Sequence, residues 1–303
     1  MHAIETFSLS KNFRRVTAVR DLNLQVPQGA VYALMGPNGA GKTTLIKLLM
    51  NLIGPSAGRA TMLGMSTAQL EGRRLEEIGY VSENQKLPNW MSVEAFLAYC
   101  RPFYPTWDRE FEKRLVERFG LPLKRKLKTL SRGMKKKAAQ TSALAFHPRL
   151  TVLDEPLSGL DPLVRDDLME SLLSLRGETT ILLSSHDLAE IESFASHVGY
   201  MGGGQLLLSE TMDSVRMRFR RVAVSAEAPL TRPATLPAEW RDAVTDDHSA
   251  QWIETGFDAE RSMARAGEVF GAVQMSSSPL TLREVFLTMA RSNGGQRPNG
   301  AAQ

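Results

Sequence analysis

A chain of 303 residues, 43% of them hydrophobic, is long enough for two domains and apolar enough to bury an ordinary core. Lys plus Arg number 37 against 33 Asp plus Glu, and a net charge of +4 is too slight to imply a nucleic-acid footprint. The single cysteine, Cys100, excludes an intrachain disulfide framework and a cysteine-based metal cluster. No apolar run reaches the roughly 18 residues of a membrane span, and the start Met1-His2-Ala3-Ile4-Glu5 lacks a secretory pattern. A cytosolic chain is expected, with Cys100 as a buried filler rather than a nucleophile.

Residues 3–35 read as strands. Ile4, Phe7 and Leu9 lie in a first run, Val19 to Val26 alternates in a second, and Pro27-Gln28-Gly29 turns into the apolar stretch Val31-Tyr32-Ala33-Leu34-Met35. That stretch runs straight into Gly36-Pro37-Asn38-Gly39-Ala40-Gly41-Lys42-Thr43-Thr44, a full match to G-x-x-x-x-G-K-[ST], and Leu45 to Met50 continues it with helical character. Strand, glycine loop and helix are the context a phosphate-binding loop needs. The glycines let backbone N–H groups converge on phosphate oxygens at a helix N-terminus. Lys42 then reaches the β- and γ-phosphates, the Thr43 hydroxyl takes a position on Mg²⁺, and Thr44 reaches the inner phosphates.

Beyond the loop helix, Gly54 to Gly58 reads as a turn, Ala60 to Leu63 as a short strand and Ile78 to Val81 as another. The period then turns helical, with Val93, Phe96, Leu97, Leu115, Val116 and Phe119 in phase and breaks at Pro102, Pro105 and Pro122. A helical subdomain over about 87–147 is expected, inserted in the α/β core. It closes on Leu130-Ser131-Arg132-Gly133-Met134, with Ser131 as the N-cap of a helix, and Lys135-Lys136-Lys137 reads as a solvated face of that helix. Leu150 to Leu153 forms an apolar strand that delivers Asp154 and Glu155 at its C-terminal end, where α/β sheets hold ligands. After Ser158-Gly159-Leu160-Asp161 come a helix to about Leu175, a strand Thr180 to Ser184, His186 at its tip, and a capping box from Asp187 to Glu190. A hairpin from Val198 to Ser209 turns on Gly202-Gly203-Gly204. From about Met212 the pattern loosens: Val222-Ala223-Val224 reads as a strand, Pro229 to Pro237 as an irregular loop, and a last helix is capped by Thr281 with Glu284 three residues on. Ser292 to Gln303 reads as a disordered tail.

The motifs in this order resemble those of the ATP-binding cassette (ABC) ATPases, over residues 1 to about 211. Gly36 to Thr44 is similar to the Walker A loop, Leu130 to Met134 to the ABC signature, Leu150 to Glu155 to the Walker B strand, Ser158 to Asp161 to the D-loop, and His186 to the switch histidine. The resemblance implies an α/β fold, a P-loop NTPase of ABC type with a β-rich N-terminal subdomain, an inserted helical subdomain, and a small α+β C-terminal appendage over 212–291. It implies ATP and Mg as cofactors, with Asp154 and Thr43 on the metal, Glu155 activating water, and His186 contacting the γ-phosphate. Phe13 matches the adenine-stacking aromatic, with a core aromatic at a strand end as its alternative.

In such ATPases two cassettes close head to tail, so Ser131 and Gly133 of one subunit would cover the γ-phosphate of the other, with Asp161 at the same seam. The implied partners are a second copy of the chain and an integral membrane permease, with no nucleic acid. The implied place is the cytoplasm, peripheral on the inner face of the cell membrane, and the implied activity is ATP hydrolysis driving transport, export by analogy. A soluble ABC-type ATPase or an ATP-binding switch is the alternative. Two departures stand out. Arg132 and Met134 replace a glycine and a glutamine of the usual signature, leaving Arg132 either near phosphate or in solvent. The residue that normally offers an oxygen to Mg²⁺ after Val81 is a glutamine, and here the choice lies between Glu83 and Gln85.

Overall fold

The computed structural model describes residues 1–174, 179–230 and 236–293, which divide into two units, one from Met1 to Ser209 and one from Glu210 on. In the first unit the chain runs through β1 (His2–Phe13), β2 (Val16–Leu22), β3 (Gln25–Pro27), β4 (Val31–Met35), α1 (Lys42–Leu49), β5 (Ala57–Met62) and β6 (Met65–Ser66). β1 is the spine of an antiparallel sheet, pairing with β2, β3 and β5, while β6 pairs with β5. β5 begins at Ala57, three residues earlier than the strand expected at Ala60, so the turn expected to extend through Gly58 ends before it. Gly58 has a positive φ, and a Cβ there would meet the Ser8 carbonyl at 2.3 Å, so a close backbone approach rather than a turn explains this glycine.

A second sheet is built from β4, β7 (Ile78–Val81), β8 (Leu150–Leu153), β9 (Thr180–Ser185), β10 (His197–Gly202) and β11 (Gln205–Thr211), in the order β11-β10-β4-β9-β8-β7, with parallel pairing from β10 through β7. All five residues of β4, all four of β8 and all six of β9 are buried. A parallel strand covered on both faces reads as a continuous apolar run, which is why these strands were legible.

Between β7 and β8 lie α2 (Val93–Cys100), α3 (Arg109–Arg118) and α4 (Arg132–Leu144). Ser92, Asp108 and Ser131 cap them by accepting from the N–H groups of Ala95, Phe111 and Met134. Glu112 is buried, and Arg101 grips it through Nε at 2.8 Å and Nη2 at 2.6 Å while Trp107 Nε1 donates at 2.7 Å. Tyr104 stacks on Phe146 at 3.8 Å, and Phe96 is buried, whereas Trp90, Tyr99 and Phe103 are exposed. Cys100 is half-buried, and burial, helped by Glu112, pushes its thiol up to about 11, which leaves little thiolate to react. After β8 follow α5 (Pro162–Ser174), and after β9 the short α6 (Leu188–Glu192). Residue 175, where the α5 helix was expected to end, and the Glu190 side chain of the expected capping box lie outside the described residues.

The second unit holds α7 (Met212–Arg218), β12 (Arg220–Ser225), β13 (Arg241–Thr245), β14 (Ser249–Glu254), α8 (Ala259–Phe270), β15 (Gln274–Pro279) and α9 (Leu282–Asn293). Its antiparallel sheet runs β13-β14-β12-β15. Its core contains Val222, Val224, Trp240, Trp252, Ala266 and Phe270, with the two indoles stacked at 3.9 Å. The capping box of α9 is made: the Thr281 N–H donates to Glu284 at 2.9 Å and the Glu284 N–H to Thr281 Oγ1 at 3.3 Å. Part of the expected Pro229–Pro237 loop and the expected tail, from residue 294 on, lie outside the described residues, while α9 itself carries Ser292 and Asn293. Among the described residues no helix is long and apolar enough to cross a membrane.

Candidate functional site

The C-terminal ends of β4, β8 and β9 meet at one cavity of about 710 Å³. It is lined by the loop residues Pro37 to Thr44, by Glu83, Glu155, Ser158 and His186, and by Val16, Thr17, Ala18, Gly203 and Gly204. Two loop glycines are dictated by close approach. A Cβ on Gly36 (φ +149°) would lie 2.4 Å from the Met201 carbonyl oxygen, and one on Gly41 (φ +107°) would lie 2.3 Å from that of Ala18. Gly41 is also the N-cap of α1 and carries no side chain to fill it, so the first N–H groups of the helix face the loop without a side-chain acceptor.

Lys42 is buried, and its ammonium donates to the Gly36 carbonyl at 2.6 Å and the Pro37 carbonyl at 3.4 Å, 3.5 Å from Glu155 Oε1. Thr43 Oγ1 donates to Asp154 Oδ1 at 3.2 Å, so the two oxygen donors expected on a metal stand side by side. Ser184 Oγ donates to the same Asp154 oxygen at 2.7 Å and accepts the Glu155 N–H at 2.9 Å. Glu155 holds a left-handed backbone, φ +49°, unusual for a side chain of its size. Its other carboxylate oxygen, Oε2, lies 2.8 Å from His186 Nδ1.

The remaining expected residues fall differently. Glu83 lines the cavity and lies 3.8 Å from Arg132 Nη2, whereas Gln85 turns its Oε1 onto the Ser82 N–H at 3.1 Å and does not line it. Arg132 is therefore exposed and at the same time paired with Glu83. Phe13 is 46% exposed under the Lys11 ammonium and does not line the cavity. Ser131, Gly133 and Asp161 do not line this cavity; Ser131 uses its hydroxyl to cap α4.

The lysine run corrects the sequence reading. Lys136 and Lys137 are buried, not solvated. Lys136 Nζ donates to the carbonyls of Glu155 and Ser158, both at 2.7 Å, and Lys137 Nζ to that of Phe119 at 2.9 Å. Three adjacent lysines look like a charged surface because sequence cannot show the uncapped carbonyls that a buried ammonium satisfies. Burial pushes the Lys136 ammonium down to about 8 and Arg132 adds repulsion, while Glu83, Glu155 and Asp154 pull the other way. Also missed were Ser184, whose only signal was a hydroxyl ending an apolar strand, and Gly203 and Gly204, read only as a hairpin turn.

A protein-family model described as "ABC transporter" matches residues 19–158. An uncharacterized ABC transporter ATP-binding protein of Synechocystis is 33% identical, over 71% of this chain and 64% of its own length, so the chain spans less than two thirds of that relative. A lantibiotic transport ATP-binding protein of Streptococcus pyogenes is 32% identical over 68% of this chain and 90% of its own length. A solved ATP-binding subunit of an ABC transporter is 30% identical and superposes with a TM-score of 0.64, covering 71% of this chain and 92% of that one.

Proposed function

This chain belongs to the ABC transporter family of ATP-binding proteins and carries that family's ATPase domain, and from that premise we propose that it hydrolyses ATP to drive export through a separate membrane permease. The observation that carries the reading is the convergence of Lys42, Thr43, Asp154, Glu155 and His186 in one chain of contacts, joined through Ser184, at a cavity that all of these five but Asp154 line. In this reading residues 1–211 form the catalytic domain, 87–147 its helical insertion and 212–291 an accessory domain.

The loop N–H groups from Asn38 to Thr44 and the Lys42 ammonium hold the triphosphate, with Phe13 against the adenine. The oxygen donors Thr43 and Asp154 suit a hard cation such as Mg²⁺. Among the described residues no group of three His, Cys, Asp or Glu could hold a metal alone, which fits an ion that takes most of its ligands from phosphate and water. Bound there, it would withdraw charge from the phosphate oxygens. Glu83, on the cavity wall, is the better-placed of the two candidates for a further oxygen ligand. Glu155 orients the attacking water and accepts its proton, and His186 holds Glu155 from one side while facing the γ-phosphate.

Ser131, Gly133 and Asp161 lie off this cavity, so the proposed site is completed by the signature of a second cassette, in a homodimer with two equal sites. The working place is then the inner face of the cell membrane, beside the permease. The relative of Streptococcus pyogenes, named for lantibiotic transport, supports the transport reading. The test is affinity isolation of the Glu155→Gln chain from detergent-solubilised membranes with ATP and Mg²⁺. Recovery of a polytopic membrane protein is expected; recovery of ribosomes or DNA would overturn the transport reading.

A further inference from the structure

Glu155 sits in a backbone conformation that its own residue type disfavours, so the surroundings must hold it there. Both polar groups of its backbone are tied. Its N–H donates to Ser184 Oγ at 2.9 Å, and its carbonyl accepts from Lys136 Nζ at 2.7 Å. The same ammonium reaches the Ser158 carbonyl at 2.7 Å, and Gln140, one turn further along α4, donates through Nε2 to the Pro156 carbonyl at 3.3 Å. Two side chains on one face of α4 thus satisfy three carbonyls of the turn that follows β8. Lys136 is only 6% exposed, and a cation so buried is costly unless its hydrogen bonds are made.

From this we infer that Lys136 is a positioning residue for hydrolysis, fixing the backbone of Glu155 so that its carboxylate meets water and His186 in register. The inference rests on the ATPase reading above. It gives α4 two tasks: its first turn carries Ser131 and Gly133, and its second turn grips the catalytic turn of its own chain. A cation serves here because its charge strengthens both hydrogen bonds, to the Glu155 and Ser158 carbonyls, beyond what a neutral amide on a stem one bond shorter supplies.

The experiment compares wild type, Lys136→Met, Lys136→Gln and Lys136→Arg as full chains, measuring ATP turnover, KM, nucleotide affinity and thermal midpoint. Wild type must first hydrolyse ATP; if it does not, the ATPase reading fails and not this one. With an active wild type, Lys136→Met is expected to lose about tenfold or more in kcat, the size of a lost charged hydrogen bond, with nucleotide affinity held within about twofold. Lys136→Arg is expected to recover most of the loss, and should the Met variant not fold, Lys136→Gln carries the same comparison. A cycle with Glu155→Gln reads the route of action. If Lys136 works through Glu155, Lys136→Met adds no further loss to the residual turnover of Glu155→Gln. Wild-type turnover in the Met or Gln variant, equal loss of affinity and kcat, or a full additional loss in the Glu155→Gln background would each overturn the inference.

Discussion

Glu155, beside the phosphate loop, and Glu254, on β14 of the second unit, are carboxylates of nearly equal burial, 7% and 9% exposed. Their partners differ. Glu155 faces the Lys42 ammonium at 3.5 Å and the His186 ring at 2.8 Å on a backbone at φ +49°. Glu254 receives the Trp252 indole N–H at 2.8 Å and the Ser262 hydroxyl at 2.5 Å, two neutral donors that lock it into the wall of its own core. Burial alone therefore says little about a carboxylate's task; in the proposed reading the difference lies in the partners, since those of Glu155 are groups that phosphate and water can also engage and those of Glu254 are not.

The sharpest way to break this comparison is Glu155→Gln, expected to cut ATP turnover by about 100-fold or more while leaving the unfolding midpoint near that of wild type. Unaltered turnover would remove Glu155 from the mechanism. Next in size, Lys42→Ala should weaken ATP binding by roughly tenfold to a hundredfold, as for loss of a charged hydrogen bond; titration with a fluorescent nucleotide reads this, and wild-type affinity would sink the phosphate-loop assignment. Glu254→Leu should do the reverse of Glu155→Gln, costing about 1–3 kcal/mol of stability through the orphaned indole and hydroxyl donors, with turnover retained. Denaturant titration alongside an ATPase assay decides, and lost turnover with intact stability would collapse the distinction.

The smallest effect lies at α9. Thr281→Ala should remove about 1 kcal/mol. The Glu284 carboxyl is held below its ordinary value first by the Thr281 N–H, then by the Thr281 hydroxyl and Arg221, against a partial desolvation cost. Its stabilisation is therefore complete above the ordinary carboxylate range and lost as pH falls through the lowered value. Denaturant midpoints of wild type and Glu284→Gln should differ at neutral pH and converge in acid; a constant gap would show that charge plays no part.

What was legible follows from how far each constraint reaches along the chain. Phosphate binding needs a loop of converging N–H groups and one lysine, so the motif shows within the nine adjacent residues Gly36 to Thr44, and the buried parallel strands announce themselves as unbroken apolar runs. The grip of Lys136 on Glu155 spans 19 residues and involves only a carbonyl, which every residue possesses. In the second unit, β13, β14, α8 and β15 were missed, because Trp240, Trp252 and Phe270 meet only in three dimensions and the strands between them carry many polar residues. The α9 cap was readable because its two partners stand three residues apart.

One consequence of the sheet order concerns stiffness. β9 is laddered to β4 from Ile181 to Ser185 on one side and to β8 from Thr180 to Leu183 on the other. A beam clamped along both edges cannot slide by a residue without breaking two rows of hydrogen bonds. His186 follows directly on the end of this beam, so a displacement at His186 is taken up by that tip and the segment after it, with the beam itself as the fixed reference.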